Sequence, residues 1–204
     1  MTRLPLIGLT QRLTAVEPHG ERRDSLARDW LGFMKALALP WLALPNDAET
    51  ALDLAARFDL GGLILTGGED MGVYPERDET EAALLSWARE TGRPAVGVCR
   101  GFQFMWQWLG GGLAPVERAA HVAVRHEIVM ADGTRRMVNS YHNFAPEAGG
   151  ARPMTPLARC AADGNLEMAG CGKFLGLMWH PEREPQPAAE DLIIFDFLKR
   201  QTEA

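Results

Sequence analysis

Cysteine is scarce: three residues in 204, Cys99, Cys160 and Cys171. An odd count in a chain long enough to build its own core argues against a disulfide framework. Long hydrophobic runs are missing too. No apolar stretch approaches the roughly 20 residues of a membrane span. The run from Leu4 to Leu9 meets Gln11 and Arg12 too soon to be a secretory signal. There is no excess of positive charge either. The formal net charge of −6 gives no reason to expect nucleic acid or a membrane as partner. Lysine is rare, with arginine supplying 18 of the 21 basic residues. Coding bias explains most of that, although the guanidinium fork suits phosphate better than an ammonium does. Internal repeats, low-complexity tracts and long linkers are absent. The expectation is one domain over residues 1–204, placed in a reducing cytoplasm.

What is present is an alternation of two periodicities. Leu4–Thr10, Leu39–Leu44, Gly62–Thr66 and Pro94–Val98 read as short buried strands ended by polar, Gly or Pro residues. Between them, Arg23–Ala38, Ala48–Phe58 and Arg77–Thr91 read as helices, the last with Glu81, Leu84, Leu85 and Ala88 on one face. Strands alternating with helices predict a parallel sheet covered on both sides. The segment after Cys99 is apolar nearly all round (Phe102, Phe104, Met105, Trp106) and predicts a central helix stopped by Gly110-Gly111-Gly112. Then the texture changes. His121–Met130, Arg136–Ser140 and Phe174–Trp179 read as strands separated by turns, and Asp191–Lys199 as a closing helix. The fold class is therefore α/β, a three-layer sandwich around a mostly parallel sheet, with a small antiparallel addition in the second half.

Three segments can carry chemistry. In Gly97-Val98-Cys99-Arg100-Gly101 an apolar strand delivers a cysteine, bracketed by glycines, to the start of a helix. That is the form of a nucleophile elbow. A helix N-terminus favours thiolate. In Trp179-His180-Pro181-Glu182, residues two apart in extended chain share a side, so Glu182 can orient the His180 imidazole towards Cys99. In Leu65-Thr66-Gly67-Gly68 a strand runs into two glycines. The Gly68 amide, with that of Arg100, can form an oxyanion hole. Other candidates read as ordinary structure. His121 and His126 are five apart with no further ligand pattern, so no metal is expected. Cys160 and Cys171 read as passive thiols, Ser25 as helical surface and His19 as a solvated loop residue.

Together and in this order, the three segments resemble the class I glutamine amidotransferase-like superfamily, whose fold is flavodoxin-like. Gly97–Gly101 matches its nucleophile motif and Trp179–Glu182 its base and orienter, 81 residues apart from Cys99 to His180. Val138-Asn139-Ser140-Tyr141-His142 and the Cys-Arg-Gly-x-Gln form resemble its γ-glutamyl hydrolase branch, peptidase C26. Thr10-Gln11-Arg12, Arg23-Asp24, the Gly-Gly-Glu-Asp turn and His180–Glu184 are similar to the γ-glutamyl-CDP-amidate hydrolases, which serve capsule phosphoramidate synthesis.

That resemblance implies a cysteine hydrolase of γ-glutamyl amides working through a γ-glutamyl thioester. Cys99, His180 and Glu182 are its implied catalytic residues, and Gly68 and Arg100 its oxyanion hole. Gly67, Gln103, Asn139, Ser140, Tyr141 and His142 would contact the glutamyl group. A nucleotide leaving group would add Arg12, Arg23 and Arg183 as phosphate ligands. The implied partner is a small γ-glutamyl substrate, with no cofactor, and a homodimer is compatible. Three alternatives stay open: a glutaminase subunit feeding ammonia to a separate synthase, a γ-glutamyl-γ-aminobutyrate-type hydrolase, and a non-catalytic binding or redox-sensing relative.

Overall fold

A computed structural model describes residues 4–16, 18, 20–147 and 154–200. The expected solvated His19 lies outside them. In chain order come β1 (Ile7–Thr10), β2 (Arg12–Val16), β3 (Glu21–Ser25), α1 (Asp29–Leu37), β4 (Trp41–Leu44), α2 (Ala48–Arg57) and β5 (Gly62–Leu65). Next are α3 (Pro75–Thr91), β6 (Ala95–Val98), α4 (Arg100–Trp108), β7 (Leu113–Pro115), α5 (Arg118–His121), β8 (Val122–Met130) and β9 (Arg135–Tyr141). The chain continues with β10 (Phe144–Pro146), β11 (Thr155–Cys160), β12 (Leu166–Cys171), β13 (Phe174–Leu177), α6 (Ala189–Phe195) and α7 (Phe197–Arg200).

The central sheet has nine strands in the order β4-β1-β5-β6-β13-β12-β11-β8-β9. From β4 to β13 every pairing is parallel. From β13 to β9 every pairing is antiparallel. The expected α/β sandwich is there, and its antiparallel addition is continuous with the main sheet. Two-stranded ribbons β7–β10 and β2–β3 stand apart.

Local chemistry sets the element ends. Asp47 caps α2 by accepting the Thr50 amide at 2.9 Å. Gly92 ends α3 at φ 66°, a left-handed backbone that glycine adopts at little cost. α1 turns Trp30, Phe33, Met34 and Leu37 to one core and α4 turns Phe102, Met105 and Trp106 to the other, one on each side of the sheet. Fully burying each such side chain stabilises by about 1.5–3 kcal/mol.

Several boundaries differ from expectation. Arg23–Ala38 is not one helix: Glu21–Ser25 pairs with Arg12–Val16 as a hairpin, and α1 begins only at Asp29. The polar β2–β3 ribbon lacks the apolar alternation that marks a strand, which is why composition misplaced it. Ser25 therefore lies on a strand, not on helical surface. The closing helix is two short helices, α6 and α7. Among the described residues, no helix is long and apolar enough to cross a membrane.

Candidate active site

β6 and β13 are neighbours, with Val98 paired to Leu177. Their carboxyl ends deliver Cys99 and His180 to the same edge of the sheet. That edge is where open parallel sheets place ligands. The Cys99 amide donates to the Leu177 carbonyl at 2.7 Å, which locks the two strand ends together. Cys99 itself sits at φ 51°, ψ −108°, strained for any residue but glycine. The strain turns strand into helix within one residue and projects the thiol over the N-terminus of α4. The two bracketing glycines permit it. A Cβ on Gly97 would lie 2.7 Å from the Gly101 carbonyl carbon, and one on Gly101 would run into the Leu65 carbonyl.

His180 is buried and its Nδ1 lies 2.6 Å from Glu182 Oε1. The contact is the expected one, but the route to it is not extended chain. Pro181–Arg183 forms a 3₁₀ turn that folds the carboxylate back under the ring. Burial alone would lower the His180 pKa. The charge of Cys99, the charge of Glu182 and hydrogen bonds to both outweigh it and raise the value to about 9. The imidazole is thus held between a sulfur and a carboxylate, the arrangement of nucleophile, base and orienter.

Gly67 and Gly68 pass directly across the ring. A Cβ on Gly67 would come within 2.6 Å of His180 Cε1, and one on Gly68 would overlap the Arg77 guanidinium. The Arg100 amide opens α4, where no intrahelical carbonyl reaches it. The turn rests on a buried ionic lattice that the sequence reading missed. Arg77 donates to the carbonyls of Thr66 at 2.8 Å and Gly67 at 3.2 Å, to Glu69 at 2.9 Å and to Glu81 at 3.1 Å. Glu81 also accepts from Thr10 Oγ1 at 2.8 Å and pairs with Arg100, which in turn pairs with Asp78. A carboxylate on the apolar stripe of α3 was the available signal, since a core-facing Glu needs a buried cation.

The expected glutamyl pocket divides. Asn139 is not free to meet a substrate. Its Nδ2 donates to the His180 carbonyl and its Oδ1 accepts the His180 amide, both at 2.8 Å. It grips His180 by the backbone and holds that residue in place. Ser140 donates to the His121 carbonyl at 2.7 Å, and His142 turns inward to Glu167. Gln103 is buried and donates to the Phe144 carbonyl at 2.8 Å. Tyr141 alone of the 139–142 segment is exposed; its ring stands edge-on to His180 at 5.7 Å between centroids.

Beside His180 lies a shallow open cleft bordered by Arg12, Ser25, Thr66, Gly67, Gly68 and Arg183 among others. Arg12 reaches it half exposed, 3.5 Å from Glu69. Arg183 stacks its guanidinium on Tyr141, 4.5 Å from the ring centre. Arg23 lies farther along the ribbon, opposite Thr14, and its Nε and Nη2 donate to the two carboxylate oxygens of Glu21 at 2.9 and 2.7 Å. Of the three arginines expected at phosphate, two border this cleft and Arg23 does not.

Residues 5–182 match the family model of peptidase C26. The γ-glutamyl-CDP-amidate hydrolase of Campylobacter jejuni is 32% identical over 87% of this chain and 90% of its own length. The γ-glutamyl-γ-aminobutyrate hydrolase of Escherichia coli O157:H7 is 27% identical over 94% of this chain and 91% of its own. A solved glutamine amidotransferase from Thermotoga maritima superposes over all of both chains with a TM-score of 0.71 at 13% identity, a likeness of fold. With its elbow cysteine, its paired histidine and glutamate and this match over most of its length, the chain belongs to the peptidase C26 family.

Proposed function

We propose that the chain hydrolyses the γ-glutamyl C–N bond of γ-glutamyl-CDP-amidate, releasing glutamate and cytidine diphosphoramidate. The coarser reading is a γ-glutamyl amide hydrolase. The observation that carries it is the elbow itself: a strained Cys99 just after β6, with His180, held by Glu182 at 2.6 Å, beyond the end of the neighbouring strand. The Cys99 sulfur, its proton passed to His180, attacks the γ-carbonyl carbon. The oxyanion is met by the amides of Gly68 and Arg100. As the C–N bond breaks, His180 returns the proton to the departing nitrogen, leaving a γ-glutamyl thioester. Water then gives a proton to His180 and attacks the thioester, and collapse frees glutamate and the Cys99 sulfur.

The finer substrate rests on the 32% identity to the Campylobacter jejuni enzyme and on the two arginines at the cleft. Guanidinium forks match phosphate oxygens in bidentate fashion. The test is released glutamate, scored by mass spectrometry, from γ-glutamyl-CDP-amidate, γ-glutamyl-γ-aminobutyrate and glutamine. Turnover should be fastest on the first and absent in Cys99→Ala with an unchanged circular dichroism spectrum. Activity surviving in Cys99→Ala would overturn the mechanism. A preference for γ-glutamyl-γ-aminobutyrate would overturn the substrate alone, and a preference for free glutamine would favour a glutaminase subunit.

A further inference from the structure

Away from the cleft, three histidines and a carboxylate from four separate segments converge in the antiparallel half of the sheet. His121 ends α5, His126 lies in β8, His142 follows β9 and Glu167 lies in β12. The side chains of His121, His142 and Glu167 are fully buried and that of His126 is 9% exposed. A single atom, Glu167 Oε1, faces one nitrogen of each ring. It lies 3.3 Å from His126 Nε2, 3.5 Å from His142 Nε2 and 3.7 Å from His121 Nδ1.

The far nitrogen of each ring fixes its tautomer. His126 Nδ1 lies 3.3 Å from the Ala120 carbonyl and His142 Nδ1 lies 3.1 Å from the Phe144 carbonyl. A carbonyl oxygen only accepts, so the ring proton of a neutral imidazole sits on Nδ1 in both, and Nε2 presents a lone pair. His121 Nε2 lies 2.7 Å from Asp163 Oδ2, which leaves its Nδ1 in the same condition. None of these three inward nitrogens, and neither oxygen of Glu167, has a hydrogen-bond partner. With all three rings neutral, lone pairs point at a carboxylate oxygen with no proton between them; burial works to lower the His126 pKa, and Glu167 outweighs it and raises the value. Buried this deeply, the arrangement requires positive charge at its centre.

We propose that His121 Nδ1, His126 Nε2, His142 Nε2 and Glu167 hold one divalent transition-metal ion, with zinc the best match, as a closed four-ligand structural site. Three imidazoles and a carboxylate are the donors that zinc takes. Ligand atoms about 2.0–2.2 Å from zinc in a tetrahedron stand roughly 3.3–3.6 Å apart. The three nitrogens lie 3.3, 3.5 and 3.7 Å from Glu167 Oε1, and the ligand atoms of His121, His142 and Glu167 lie within 4.8 Å of one another. His126 would move inward to complete the set. The outer contacts are those of a metal site, a carboxylate behind one histidine and carbonyls behind the other two. A divalent ion also balances the charge of Glu167 and Asp163 together. Cys160 stands behind His126, with Sγ 4.0 Å from its Nδ1, on the side away from the centre. The ion would fasten α5, β8 and β12 to the end of β9. That is the strand whose Asn139 grips His180, and the Phe144 carbonyl that holds His142 also holds Gln103.

The test is elemental analysis of the full chain, purified and dialysed without chelator, together with Co²⁺ titration of chelator-treated protein. About one equivalent of metal per chain is expected, retained in Cys99→Ala and lost in both Glu167→Gln and His126→Ala. Co²⁺ should give the intense visible bands of a tetrahedral ion. Zn²⁺ added to chelator-treated protein should raise Tm by roughly 10 °C. A folded, metal-free protein that shows neither Co²⁺ bands nor a Tm shift overturns the proposal, and the cluster then shares protons instead. Metal that is lost in Cys99→Ala overturns it as well, because the ion would then sit on the catalytic thiol.

Discussion

His180 keeps its proton to about pH 9 because Cys99 and Glu182 outweigh the burial that works against it. The sign of the consequence is fixed by linkage. A folded-state value above the ordinary 6.5 gives stabilisation that is complete below about pH 6.5 and lost as pH rises towards 9. Urea unfolding midpoints should therefore fall across that window. In Cys99→Ala, which removes one source of the elevation, the fall should be smaller and end at lower pH. An equal fall in both proteins would mean that some other group carries it. The same residue shows why pairing was readable when geometry was not. His180-Pro181-Glu182 announced a histidine with its own carboxylate. Nothing in those letters reveals that a 3₁₀ turn makes the contact, or that Asn139, 41 residues earlier, clamps the histidine backbone.

The strand–elbow–helix unit β6–Cys99–α4 depends on glycines where other backbone comes too close for a side chain. Gly101→Ala drives its Cβ into the Leu65 carbonyl, so β5 and α4 must separate. Chemical denaturation should read a loss of about 1–3 kcal/mol, as overpacking usually costs, together with a drop in turnover. Behind the same unit, Arg77 is fully buried between Glu69 and Glu81. Arg77→Ala strands two carboxylates and should cost about 3–5 kcal/mol. A smaller loss, under about 1 kcal/mol, would mean that the lattice is not what holds the Gly67–Gly68 turn. At this scale the first half of the chain was legible, because buried parallel strands are short apolar runs and helices carry an apolar face. The β2–β3 ribbon was not, because β3 carries no apolar residue, nor were β7, β10, β11 and β12, whose residues gain meaning only from the strands they pair with. Of the histidine cluster, only His121 and His126, five apart, stood out, and they read as no ligand pattern because His142 and Glu167 stand 21 and 46 residues from His121, a spacing no local pattern encodes.

Over the whole molecule, the cleft is assembled from a ribbon near the N-terminus, a turn after β5 and a turn after β13. On the proposed function, that junction would set substrate choice beyond the glutamyl group. Arg12→Ala and Arg183→Ala should each lower kcat/KM for a nucleotide phosphoramidate on the order of tenfold more than for a simple γ-glutamyl amide. Arg23→Ala, its fork occupied by Glu21, should discriminate less. Equal losses on both substrates would remove phosphate recognition from the cleft. The adjacency of β6 and β13 has one more result, in time. Val96 pairs with Leu175, 79 residues later, so the strands that lead into Cys99 and His180 can meet only after a long loop closes. During refolding, Cys99 should react as an ordinary thiol until that closure. The appearance of an active-site-specific alkylation rate is then a clock for the slowest long-range pairing in the chain.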